Sequence, residues 1–442
     1  MDFLITIANF IVVIGFLILI HEGGHFLAAR WAGVWVHEFA VGFGPAIWKR
    51  KTLETLYALR IFPIGGYVRM AGETVTSAES GRPEGEDETD VPQDRLFSEK
   101  SAWARMGIIV AGPVTNVVGA VLLTVFAVAV FGASFVEVVR FTADDSPAAQ
   151  ALQVGDIITR IDDTSIYNTG QISSIVSNNG DRALTVSVLR NGEPMDIEIT
   201  PKWMPEQGQF LLGAFFSIAR TNVITRVDKN SFLGQHGVQP QDRITALNGI
   251  AINSFQGLSN ALEDLGSDLT AATVTFQRND KKFEVAIDLA ATPWDKVFQG
   301  ISVETPTRSL GLLESVRVGF GQTVGMAVGL YNGIRSIVRG EISAGEAFSG
   351  PVGIANILNQ GRQQGWSAFF YLVAFLSLNL GIINLLPFPA LDGSRLVFIT
   401  IELVRGKPIS PEREGLVHQV GFFLLLGLIL LITFNDIRKL FI

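Results

Sequence analysis

The sequence predicts a polytopic α-helical membrane protein with four transmembrane helices, a β-hairpin between the first two, and a duplicated α+β insert between the second and third. Three observations carry this reading. Hydrophobic residues make up 48% of the chain and charged residues only 17%, with a mean hydropathy of +0.35, where soluble proteins carry about 25% charge. The missing charge is concentrated in four long runs. The stretch between the second and third runs contains a near-duplicate of itself. The same composition excludes a disordered chain, which needs low hydrophobicity and high net charge. A formal net charge of −8 argues against a nucleic-acid binder. Cysteine is absent, so disulfides, Cys-ligated zinc, iron–sulfur clusters and a thiol nucleophile are excluded. Any metal must rest on carboxylates and five histidines.

Residues 3–20 carry no charge, nor do 106–132 and 366–391; residues 416–434 carry one histidine and no formal charge. At 1.5 Å per residue, about 20 apolar residues cross a bilayer, so each run reads as a span. The first run is too long for a signal-peptide core, and no basic segment precedes it. Basic residues near the span ends set orientation. Arg30, Lys49, Arg50, Lys51, Arg95, Lys100 and Arg105 lie between spans 1 and 2, and Arg395, Arg405, Lys407 and Arg413 between spans 3 and 4. These loops are expected in the cytoplasm, with both termini and 133–365 on the opposite side; Arg438 and Lys439 count mildly against this.

Between spans 1 and 2, Leu56–Met70 alternates apolar and polar residues around Pro63-Ile64-Gly65-Gly66, which predicts a β-hairpin. The acidic stretch 73–94 reads as a flexible cytosolic excursion. In the insert, Ser146–Ile166 matches Ser231–Ile252, aligning Asp156 with Asp242 and Ile158 with Ile244. Val186–Gly192 then matches Val274–Asp280, at offsets of 86 to 88 residues, the size of a small domain. Strand alternation at Thr185–Leu189 and Val274–Gln277 leads into turn signals at Asn191-Gly192 and Asn279-Asp280. Ser309–Val338 is apolar but interrupted by Glu314, Arg317 and Arg335, which predicts an amphipathic helix on the membrane or against the repeats.

The chemistry concentrates where span 1 ends, in His21-Glu22-Gly23-Gly24-His25. On a helix, residues four apart lie about 6 Å apart on one face, so both imidazoles can grip one metal ion with Glu22 beside them. Polar groups at bilayer depth cost on the order of 3 kcal/mol and normally face a cavity or partner. A catalytic zinc takes three protein ligands and leaves a position open. Asp392 is the only acid between Trp366 and Glu402, and the topology puts it at the same depth as the histidines. It is therefore the expected third ligand. Pro387 and Pro389 break the helix there and free backbone groups, which is tolerated where they line a cavity. His37, His236 and His418 lack matched spacing, and His37 reads as structural.

The G-D-I-I-x-x-I pattern of the insert resembles tandem PDZ domains of the bacterial periplasmic type. Together with H-E-G-G-H in span 1 and N-x-x-P-x-P-A-L-D-G at Asn384–Gly393, it resembles the site-2 protease family over almost the whole chain, with the four-span bacterial members that regulate the sigma-E stress response as the nearest type. Gly42-Phe43-Gly44, Pro63–Tyr67, Ala111-Gly112-Pro113-Val114-Thr115-Asn116 and Gly350–Gly353 agree with it. The resemblance implies an intramembrane zinc metalloprotease, with His21, His25 and Asp392 as zinc ligands and Glu22 as the general base. It implies that Asn384 and the membrane-associated hairpin around Gly65, Gly66 and Tyr67 hold the substrate backbone. It implies single-span substrates, an anti-sigma factor and signal-peptide remnants, in the bacterial inner membrane, with periplasmic PDZ-like domains that bind peptide or filter substrates by bulk. The domains are then expected at 1–132, 133–217, 218–303, 304–365 and 366–442. A non-proteolytic membrane scaffold with a structural metal is the competing class.

Overall fold

A computed structural model describes residues 2–73, 91–190, 192–205, 207–266, 269–340, 349–407 and 409–441. The contacts divide the chain into one unit of residues 1–127 and 319–442 and another of residues 128–318.

In the first unit, the four apolar runs form helices long and apolar enough to cross a membrane, at Ile5–Trp31, Ala102–Phe131, Trp366–Asn384 and Glu412–Arg438. With no water in a bilayer core, a helix is the way such a segment satisfies its own backbone. The first helix does not stop where its apolar run stops. It continues through the histidine motif to Trp31. The third stops at Asn384, seven residues before its uncharged run ends. Leu385–Leu391 is a non-helical loop, and a new helix starts at Asp392 and runs to Arg405.

The helices approach closely where small residues allow it. A side chain at Gly24 would come within 2.5 Å of the Ala111 carbonyl, and one at Gly381 within 2.8 Å of the Pro113 carbonyl. Thr115 donates to the Ile20 carbonyl at 3.0 Å, and Ser377 donates to the Asn116 carbonyl at 2.8 Å. The amphipathic segment forms one helix, Leu312–Val338. From Gly319 onward it packs on the second and third spanning helices, a neighbour its charge pattern did not suggest. The buried Thr124 and Thr323 hydroxyls hydrogen-bond at 2.8 Å, and Gly319 leaves room for the Val125 backbone. The Gly350-Pro351-Val352-Gly353 motif opens the helix Pro351–Gln364, whose Gly353 amide donates to buried Asp436 of the fourth span at 2.8 Å.

The hairpin differs from its expectation. Strands β1 (Val36–Lys51) and β2 (Leu56–Met70) pair with each other, and the limbs of Leu56–Met70 do not fold back on themselves. Residues 39–41 lie between two limbs of β2: Phe39 faces Val68 and Tyr57, Ala40 faces Tyr67 and Ala58, and Val41 faces Gly66 and Leu59. Residues 46–51 then pair with 56–60. The strict alternation of buried and half-buried residues over Val36–Gly42 explains why this segment takes the middle position. Residues 74–90 of the acidic excursion lie outside the described residues.

In the second unit, two successive halves share one order of elements and have separate cores, one around Val136, Ile158, Ile172 and Val186, the other around Ile224, Ile244, Leu258 and Phe276. Val136–Phe141 pairs with Ala214–Ile218 and Ile157–Ile161, which leads on to Leu184–Arg190 and Glu193–Ile199. In the second half, Arg243–Leu247 pairs with Ala271–Arg278, and that strand with Lys281–Asp288. The duplicated residues do duplicated work. Ser146 and Ser231 cap helix N-termini, accepting from the amides of Ala149 and Gly234. Buried Asp156 takes Arg190 at 2.6 Å and the Gln153 amide at 2.8 Å; buried Asp242 takes Arg278 at 2.7 Å and the Gln239 amide at 2.7 Å. The halves meet where Asn260 donates to the Val139 carbonyl at 2.7 Å and Arg140 pairs with Glu263 at 3.1 Å.

Candidate metal centre

His21 and His25 occupy successive turns of the first spanning helix, and both are buried. Asp392 reaches them from the first position of its own helix. Its Oδ2 lies 3.1 Å from His21 Nε2 and 3.3 Å from His25 Nε2, and the two Nε2 atoms are 3.3 Å apart. Three electron-pair donors thus form a nearly equilateral triangle. Donors about 2.0–2.1 Å from a tetrahedral ion stand roughly 3.3 Å apart, so the triangle has the dimensions of three corners of a zinc site. Asp392 Oδ2 has no hydrogen-bond donor among the described residues, which a carboxylate oxygen at this depth needs unless a cation meets it. The chemistry also fits: imidazole and carboxylate without thiolate suit a catalytic zinc.

The loop before Asp392 is built to hold it. Ala390 adopts φ +71°, a left-handed conformation that a non-glycine residue takes only when its surroundings impose it. Those surroundings come from the fourth span. His418 Nδ1 accepts from the Ala390 amide at 3.2 Å, and Gly421 leaves the space that Pro389 fills. Gly393 must be glycine, because a side chain there would come within 2.2 Å of the Leu386 carbonyl. Nothing in the spacing of His418 pointed to this place; its signal was only a histidine three residues before a glycine in an apolar run.

A cavity of about 380 Å³ opens on the triangle. Glu22, Gly65, Gly66, Tyr67, Asn384, Arg395 and His418 all line it. The backbone at Gly66 passes directly over Glu22, since a side chain at Gly66 would come within 2.9 Å of Glu22 Cγ. Asn384 places its amide 3.4 Å from His21 Nε2. Tyr67 stacks at 6.3 Å on Phe43. Burial, followed by the negative charge of Glu38, pushes its phenol up to about 12, so it stays protonated. Every site residue expected from the sequence therefore meets this cavity. Besides His418, three neighbours were not anticipated: Arg395, which pairs with Glu73, and two groups of the second span. These are the Ile108 carbonyl, 2.9 Å from His25 Nδ1, and the Asn116 amide, 3.1 Å from His21 Nδ1.

Four apolar helices gathered around a buried His-His-Asp triangle, with a carboxylate and the 380 Å³ cavity beside it, define a metallohydrolase type of site in a membrane protein. The chain belongs to peptidase family M50, whose model matches residues 9–428. It is 30% identical to the zinc metalloprotease RasP of Oceanobacillus iheyensis, covering 99% of this chain and 100% of that one. It is 27% identical to the regulator of sigma-W protease RasP of Bacillus subtilis and 29% identical to the probable protease Eep of Enterococcus faecalis, with 99–100% of each chain covered. Among solved structures it is similar to the PDZ domain of an SdrC-like protein from Listeria monocytogenes, at 21% identity and a TM-score of 0.17 over 18% of this chain and 85% of that one.

Proposed function

We propose that this protein is an intramembrane zinc metalloprotease that hydrolyses peptide bonds within the membrane segments of single-span proteins. The donor triangle of His21, His25 and Asp392, with sides of 3.1, 3.3 and 3.3 Å, carries the reading. Those three residues would hold the ion. Bound there, zinc supplies Lewis acidity toward a carbonyl oxygen and toward water. Glu22 lines the same cavity and takes the proton of the attacking water, then returns it to the leaving amine.

A helical substrate shields its peptide bonds by its own hydrogen bonding, so it must unwind before it is cut. Residues 65–70 line the cavity as a β-strand, and an unwound segment can add beside them with its backbone brought over Glu22. Asn384, at the mouth of the triangle, offers a further amide to that backbone. The relative named for sigma-W supports anti-sigma-type substrates, and signal-peptide remnants are a second group of the same chemistry. The name gives no support for sigma-E in particular. The basic residues flanking the spans favour a bacterial inner-membrane orientation with the site toward the cytoplasm. Residues 133–217 and 218–303 act as two PDZ-like domains on the other side that limit access by bulk.

The decisive measurement is Glu22→Gln in purified protein with a single-span model substrate. Zinc content stays at the wild-type level, and cleavage falls by about a thousandfold or more. Cleavage by the variant at the wild-type rate would remove Glu22 from its role. Deleting 140–290 should admit substrates with intact bulky outer domains; unchanged discrimination would dispose of the filter.

A further inference from the structure

The Ala111-Gly112-Pro113-Val114-Thr115-Asn116 motif of the second span is not used by the reaction as described, yet it lies against both histidines. Gly112 is the floor beneath His25, since a side chain there would come within 2.2 Å of His25 Nε2. One turn later, Asn116 is fully buried and its amide faces His21 Nδ1 at 3.1 Å. One further turn back, the Ile108 carbonyl faces His25 Nδ1 at 2.9 Å.

The two ring contacts have the same logic. A carbonyl can only accept, so His25 carries its proton on Nδ1 and presents the Nε2 lone pair to the triangle. His21 presents Nε2 to the same triangle, so it too must carry its proton on Nδ1 and needs an acceptor there. The Asn116 amide is the group in reach. Its Oδ1 has no hydrogen-bond partner among the described residues when the NH₂ faces the ring. A half-turn of the amide exchanges the two atoms, which have nearly the same shape. The ring proton and the amide oxygen, each otherwise without a partner, then meet.

We infer that Asn116 is a positioning residue for the metal centre: its side-chain oxygen accepts the His21 Nδ1 proton and thereby fixes the tautomer and ring plane that direct Nε2 at the ion. This deepens, and rests on, the reading of His21 as a metal ligand. The second span thus supplies the outer partner of both histidines, from Ile108 through its backbone and from Asn116 through its side chain. Ser377, which donates to the Asn116 carbonyl, and Gly381, which packs on Asn116 Cβ, hold that residue in place from the third span.

The test is the zinc dissociation constant of the full-length protein in detergent, measured by competition with a chromophoric chelator, for wild type, Asn116→Leu and Asn116→Asp. Leucine keeps the volume and removes the acceptor; aspartate keeps an acceptor oxygen. The expected result is a 10- to 100-fold weaker affinity for Asn116→Leu and an affinity within about threefold of wild type for Asn116→Asp, with the melting profile retained. Equal affinity of Asn116→Leu and wild type overturns the inference. So does equal loss in both variants with the fold intact, which marks a packing site rather than an acceptor. Should Asn116→Leu misfold, Asn116→Ala, which removes the amide without adding bulk, takes its place under the same criteria. A wild-type protein that binds no zinc defeats the proposed function itself, an outcome distinct from either of these.

Discussion

Three carboxylates, two buried in one unit and one largely buried in the other, are held in opposite ways. In residues 128–318, Asp156 and Asp242 are buried beneath arginines, and each oxygen has a donor: Arg190 and the Gln153 amide for one, Arg278 and the Gln239 amide for the other. In the membrane unit, Asp392 points its Oδ2 at two imidazole nitrogens and, among the described residues, neither that oxygen nor the side-chain oxygen of buried Asn116 has a hydrogen-bond partner. A buried polar group with all its partners makes architecture; one left short of partners costs on the order of 1–3 kcal/mol unless something else arrives. The first pattern repeats at a fixed spacing because it is what each half needs to fold. The second lies where three donor atoms come together within reach of one cation.

Perturbing each carboxylate separates the two kinds. The largest effect is expected for Asp392→Ala. Bound zinc is lost and cleavage falls by at least about a thousandfold, while circular dichroism of the spans is unchanged. Metal analysis decides it, and a full complement of zinc in the variant would place Asp392 with the structural carboxylates. Asp156→Ala is the converse. It strips a buried partner from Arg190 and lowers the stability of its half by about 3 kcal/mol. Hydrogen exchange should show lost protection across 147–190 with zinc content unaltered. A drop in zinc would break the distinction.

The smallest effect belongs to Glu137, which sits where the two repeats meet and accepts weakly from the Arg220 amide at 3.4 Å. Burial raises its carboxyl from an ordinary 4.5 to about 7, against the opposing pull of the Arg220 amide and charge. The folded state therefore keeps a proton that the unfolded state releases between those values, and stability falls as pH rises from about 4.5 to about 7. Exchange protection of 136–141 should decline over that window in wild type and stay level in Glu137→Gln. A flat wild-type profile would show that Glu137 is as well satisfied as Asp156.

The parts that were legible in the sequence are those set by local geometry. An uncharged run of about 20 residues is a span whatever surrounds it, and histidines four apart share a helix face wherever the helix lies. The duplicated Asp, Ser and Ile positions of the insert declared two similar halves because each half folds on its own short-range pattern. Asp392 was within reach because it is the single acid in a long apolar stretch, a constraint of composition.

Tertiary structure alone decided the rest. Which limb of Leu56–Met70 lies beside the cavity depends on Val36–Gly42 entering between the two limbs, and both outer and inner pairings satisfy the same alternation. The place of Leu312–Val338 depends on a glycine and a threonine finding their counterparts in the second span. The partners of His21 and His25 lie 95 and 83 residues away, on a helix whose approach is set by Gly24, Gly112 and Gly381. His418 reaches the Ala390 amide across a loop whose left-handed residue carries no glycine to announce it. The period of a helix fixes what stands on one face; how closely two helices cross, and therefore which side chains meet, is decided by the small residues between them.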